Sequence, residues 1–218
     1  MRYNKPLSII LLFMILLVVV IQTSIFIAHE QNIYYWDFNG YWRMWEEFCA
    51  TFPNEPINSI RTVFHSIRHD DYNYLPVAIT SWFYLFNLPS RLSYITSLAV
   101  MYLFPTVILF HLLCKRFSDN HSFGWLLLSC ILPLTFVAFW APTLKGYPDI
   151  SGLIPIIAAL LYVSSSDFGD KVKIKKALVT GLLLWSPFLL RRWYAYTVVS
   201  LYISLPVLNY FLYNNAKH

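Results

Sequence analysis

Few of the charged side chains in this 218-residue sequence stand where chemistry could use them. Asp37 is central to Tyr35-Trp36-Asp37-Phe38-Asn39-Gly40-Tyr41, just after a long apolar run. Asp149 closes Lys145-Gly146-Tyr147-Pro148-Asp149, just before another. Arg191 and Arg192 interrupt a third, between Leu189-Leu190 and Trp193-Tyr194. His65, His69, Asp70 and Asp71 end a long polar segment. A carboxylate can act as general base toward a hydroxyl or amine. A guanidinium can grip a phosphate with paired hydrogen bonds and stabilise charge that develops on it. Together they suit the transfer of a group from a lipid phosphate at a membrane surface. His65 and His69 share one helix face, but spacing supplies no third ligand, so a solvated face is the preferred reading and no metal is indicated. Gly-rich phosphate loops and the G-x-S-x-G, H-E-x-x-H and C-x-x-C patterns are all missing. The three cysteines form no disulfide or metal pattern.

The elements that must position these residues follow from composition. The chain is 58% hydrophobic and 19% aromatic, with 12% charged residues and a mean hydropathy of +0.53. Soluble domains carry about a quarter charged residues. That excludes a disordered tail, a small secreted scaffold and an ordinary soluble enzyme, and it predicts an all-α, polytopic membrane protein. The net charge of +5 sits between apolar runs, as in cytoplasmic loops, and does not mark a nucleic-acid partner. The whole of 1–218 is expected to form one transmembrane domain of about six spans, at 7–28, 92–114, 122–141, 150–166, 177–190 and 193–213. Residues 29–91 form a long first outer loop. Two stretches in that loop have helical spacing: Phe38, Trp42, Trp45, Phe48 and Phe52, then Ile57, Ile60, Phe64 and Ile67. Both are expected to lie as amphipathic helices on the outer membrane face. Residues 74–88, bounded by Pro76 and Pro89, are short for a crossing.

Charge bias sets the orientation. If 74–88 does not cross, Lys115-Arg116 and Lys171, Lys173, Lys175 and Lys176 all fall inside, with both termini cytoplasmic. Asp37, Asp71, Lys145, Tyr147, Asp149, Arg191 and Arg192 then share the outer face. The Asn120-His121-Ser122 sequon falls inside and is discounted. An arginine pair on the side where positive charge is disfavoured calls for an anionic partner.

This order of features resembles the GT-C membrane glycosyltransferases, closest to the protein mannosyltransferase and aminoarabinose transferase group. The resemblance rests on an N-terminal anchor, an Asp soon after it in a Y-x-D-x-x-x-Y setting, amphipathic helices, and Asn73-Tyr74-Leu75-Pro76. It continues through an Arg-led span ending in Lys115-Arg116-Phe117 and a second Asp in the next outer loop. The family is commonly longer, so the likeness covers the N-terminal part of its module. It often carries an acidic pair where Phe38 follows Asp37 in this chain. The resemblance implies a polyprenyl-phosphate sugar donor, an acceptor whose identity is open, and the bacterial plasma membrane. It implies Asp37 as base, with Asp149 and Arg191 or Arg192 toward the donor. Lys145, Tyr147 and Asp71 complete the candidate binding set, and no cofactor is implied.

Simpler roles compete for each residue. Asp37 and Asp149 suit helix caps, and arginines at a span edge can snorkel to headgroups. At the level of the whole chain, the alternatives are a non-catalytic subunit acting with a partner, or a transporter or flippase component for lipid-linked saccharides. A transporter favours charges near the bilayer midplane. Within the expected spans only His111 lies so deep, and a packed, hydrogen-bonded role suits it.

Overall fold

A computed structural model describes residues 5–31, 36–118, 122–164 and 174–215 of the chain. All regular structure among them is helical. Helix α1 spans Lys5–Ala28, α2 Asp37–Thr51, α3 Pro56–His69, and α4 Leu75–Thr80 with a 3-10 continuation over Ser81–Phe86. Helix α5 (Ser90–Leu98) passes through a π-helical stretch (Ala99–Leu103) into α6 (Phe104–Phe117). Helices α7 (Phe123–Thr135) and α8 (Val137–Lys145) lead to a 3-10 turn (Asp149–Gly152) and α9 (Leu153–Ser164). Helices α10 (Ile174–Leu190) and α11 (Tyr194–Asn215) follow. Tyr35, Asn120, His121, Lys171, Lys173 and the end of the fourth expected span (165–166) lie outside the described residues.

Two helices among the described residues are long and apolar enough to cross a membrane, Ile9–Ala28 and the joined Ser90–Phe117. A third crossing results if α7 and α8 count together. That pair, expected as one straight span over 122–141, is bent by 49°. Phe136 at the break is extended, three residues after Pro133. A proline inside a helix removes one hydrogen-bond donor and clashes with the preceding turn, so a sharp kink is expected beside it. The segment expected not to cross, 74–88, is short and splits into α4 and its 3-10 continuation.

The main core forms around α5 and α6. Tyr94, Ile95, Leu98, Ala99, Tyr102, Leu103 and Val107 are buried on one face. They meet Ile15 and Val19 of α1, Tyr41 and Trp45 of α2, Val77 of α4 and Leu126 and Cys130 of α7. A smaller cluster joins Ala159 of α9, Leu184 of α10 and Val198 of α11.

Helices α2 and α3 differ in what covers their apolar faces. Helix α2 buries Tyr41, Trp45, Phe48 and Cys49, with Tyr41, Trp45 and Cys49 in the main core, so much of its stripe is covered by protein, while Phe52 at its end is 40% exposed. Helix α3 packs inward through Ser59, Val63 and Ser66 and leaves Ile57 and Phe64 outside, 74% and 65% exposed. Periodicity identifies an apolar face but not the surface that covers it. The near ends of α1 and α5 are tied by a forked pair. Arg91 Nη2 and Nε donate to Glu30 Oε1 and Oε2 at 2.9 and 3.2 Å.

Candidate functional site

Asp37 is the first residue of α2, and its side chain does not cap the helix. Its Oδ2 accepts hydrogen bonds from the Tyr72 hydroxyl at 2.9 Å and the Tyr147 hydroxyl at 3.2 Å. Tyr72 stands just beyond α3. Tyr147 stands in the turn after α8, where Gly146 takes a left-handed φ of 104°. Gly146 N–H reaches the Pro142 and Thr143 carbonyls, and Tyr147 N–H reaches Pro142 at 2.8 Å. This is a glycine C-cap of the kind that reverses a chain at a helix end. It delivers Tyr147 to Asp37 and then places Asp149 at the head of the 3-10 turn.

Asp149 is not a capping side chain either. Its Oδ1 pairs with Arg191 Nε at 2.7 Å. Arg191 follows the last residue of α10 and is 4% exposed. Its Nη1 donates to the Tyr41 hydroxyl, and its guanidinium carbon lies 5.0 and 5.7 Å from the Tyr41 and Tyr72 ring centres. A buried cation needs such compensation from a counter-ion, an acceptor and aromatic faces. Tyr194, at the start of α11, donates to the Asp149 carbonyl at 2.6 Å. Its ring presses on Gly152 so closely that a Cβ there would lie 2.2 Å from it.

Asp37, Tyr147, Asp149, Arg191, Trp193, Tyr194 and Thr197 line an open cavity of about 540 Å³. Burial pushes the Tyr147 hydroxyl up to about 12, aided by the Asp37 carboxylate. The hydrogen bond to Asp37 raises Tyr72, and burial raises Tyr41 against the pull of Arg191. These phenols therefore stay protonated at neutral pH. Burial also lifts the Asp149 carboxyl above the ordinary value, although Arg191 works against the rise. Lys145 lies near the cavity rim, its ammonium 5.8 Å from the Phe38 ring centre, and that ring lies 4.2 Å from Tyr147.

Of the candidates, Asp37, Tyr147, Asp149 and Arg191 come together, with Lys145 close by. Arg192 and Asp71 do not join them. They pair with each other at 2.8 Å, and Arg192 also donates to the Arg68 carbonyl at 3.2 Å. Asn73, buried between the two arrangements, donates to the Leu189 carbonyl at 3.1 Å near the end of α10. The His65 and His69 rings face each other at 4.5 Å, and no group of three metal-ligating side chains occurs among the described residues. His111 Nδ1 lies 2.6 Å from the Ser129 hydroxyl.

Sequence reasoning missed Tyr41, Tyr72 and Tyr194 as site residues. Tyr41 carried a signal, because it stands four residues after Asp37 and so shares its helix face. Tyr72 and Tyr194 carried none that spacing could reveal. No protein family, curated protein or solved structure matches the chain.

Proposed function

We propose that the chain is a membrane glycosyltransferase, or the N-terminal part of one, that moves a sugar from a polyprenyl-phosphate donor to an acceptor at the outer membrane face. One observation carries this reading. Asp37 is separated from both Asp149 and Arg191 by more than a hundred residues of chain, yet all three line one cavity. In this reading six crossings are formed by α1, joined α5–α6, joined α7–α8, α9, α10 and α11, and α4 stays on the outer side.

Asp37 is the base. Two phenols hold its Oδ2, and no described residue bonds Oδ1, the oxygen this reading assigns to the acceptor. Oδ1 takes the acceptor proton as the acceptor oxygen or nitrogen bonds to the anomeric carbon. The bond from that carbon to the phosphate oxygen breaks, and its electron pair leaves with the polyprenyl phosphate. Arg191, on the same cavity, is the guanidinium this reading assigns to that growing charge. The lining carries two carboxylates and one guanidinium, and Lys145, whose ammonium lies over the Phe38 ring, supplies a second positive charge close by.

The test is transfer from a polyprenyl-phosphate sugar by purified protein. Asp37→Asn keeps shape and hydrogen bonding but removes the proton acceptor, so transfer falls by about 100-fold or more while donor binding remains. Normal turnover by the folded variant removes Asp37 from the mechanism.

A further inference from the structure

Arg191 and Arg192 are neighbours in the chain but serve different cavities. Arg192 lines a second, open groove of about 780 Å³ between the end of α3 and the end of α10, together with Arg68, His69, Trp185, Phe188 and Leu189. We propose that this groove is a binding site for an anionic phospholipid, with the phosphate held by Arg192 and Arg68 and an acyl chain laid along α10.

The polarity of the groove is that of an amphiphile. Arg68, His69 and Arg192 line it where α3 and α10 end, and Trp185, Phe188 and Leu189 line it along α10. Earlier in α10, Leu178 and Leu182 continue the same helix face and are 67% and 66% exposed. From Leu178 to Phe188 the column runs about 15 Å at 1.5 Å per residue, enough for most of an acyl chain. An apolar column alone accepts any lipid, whereas the basic end selects a negative headgroup.

The acids of the groove do not forbid this. Asp70 and Asp71 stand at the end of α3, and Asp71 holds Arg192 through an ion pair in which the carboxylate is 85% exposed. Exposed pairs contribute little stability. A phosphate offers the same guanidinium two acceptor oxygens in place of one carboxylate oxygen, which a fork of N–H groups prefers. Asp71 is free to swing into water as the headgroup enters. The site needs neither Asp37 nor Arg191, so it stands or falls independently of the transfer reaction.

The test uses the whole purified chain in mixed micelles and counts retained lipid by native mass spectrometry. Phosphatidylglycerol is the probe and phosphatidylcholine the zwitterionic control. Phosphatidylglycerol is expected to be retained over phosphatidylcholine. Arg192→Gln and Arg68→Gln each lower its affinity by about tenfold to a hundredfold, the effect of losing a charged hydrogen bond. Trp185→Ser weakens both lipids. Arg61→Gln removes an equal charge from the exposed face of α3 outside the groove and leaves binding unchanged. Inorganic phosphate does not displace the lipid, because half of the site is apolar. Circular dichroism of each variant establishes that it is folded. Equal retention of the two lipids, unaltered binding in folded Arg192→Gln, or an equal loss in Arg61→Gln overturns the proposal. Displacement by polyprenyl phosphate at concentrations below those of phosphatidylglycerol also overturns it, since the groove would then belong to the donor.

Discussion

A carboxylate that accepts two phenolic hydrogen bonds on one oxygen is held in orientation, and this is the position of Asp37 beside Tyr72 and Tyr147. Asp149 is held differently, by a buried guanidinium, and burial lifts its carboxyl above the ordinary value. The sign of its pH effect follows. As pH falls through that raised value Asp149 takes a proton, Arg191 loses its counter-ion, and the cavity carries one negative charge fewer. A phosphodiester probe, whose own charge stays constant, therefore binds more tightly toward acid. Asp149→Asn binds tightly at all pH values and flattens the slope. Titration of a polyprenyl-phosphate sugar by equilibrium binding at several pH values reads this directly, and weakening toward acid contradicts it. At this scale the sequence was partly legible. Residue type and position near apolar-run ends singled out Asp37, Asp149 and Arg191. The same signals grouped Arg192 with Arg191, because the two are adjacent in the chain and spacing does not reveal which cavity each one faces.

At the scale of elements, small residues decide how closely helices meet. Gly152 lies against the Tyr194 ring, and the Tyr194 hydroxyl holds the Asp149 carbonyl. Gly152→Ala therefore displaces the ring, separates the 3-10 turn from α11 and costs about 1–3 kcal/mol, the usual range for overpacking. Thermal unfolding in detergent should fall by several degrees, and donor affinity should fall with it. A variant as stable and as tight-binding as the parent rules out this packing role. Helix α1 was readable almost to its ends, because a long uniform apolar run has one solution in lipid. The bend at Phe136 was written in Pro133 but was outweighed by the apolar run around it. The burial of α2 was not written in its own sequence. Its stripe of aromatic residues fits a membrane surface or a protein core equally well, and only α4 and α5 decide for the core.

Across the whole molecule, two clusters divide the labour. One gathers α1, α2, α4, α5, α6, α7 and α8, and the other gathers α9, α10 and α11. The cavity lies where they join, with Asp37 from the first and Arg191 from the second. Orientation belongs to this scale as well. The proposed arrangement keeps α4 on the outer side, and a reporter fused after Lys176 should read as cytoplasmic while one inserted after Glu55 reads as external. An external reading after Lys176 reverses every later helix and separates Arg191 from Asp37 across the membrane. Charge bias supplies this expectation without coordinates, since it counts lysines and arginines and needs no packing.

The bonds that close the cavity also set an order of assembly in time. Asn73 reaches Leu189, Arg191 reaches Tyr41 and Asp149, and Arg192 reaches Asp71 and Arg68. Four of these five links span more than a hundred residues of chain. On a ribosome that emits about 5–20 residues per second, α2 and α3 wait many seconds for their partners. Throughout that interval Tyr41, Asn73 and Asp71 have none of these contacts, and neither cavity exists. Synthesis supplies these partners when Leu189 to Arg192 arrive at the end of α10, and Tyr194 and Thr197 of α11 then complete the lining of the first cavity.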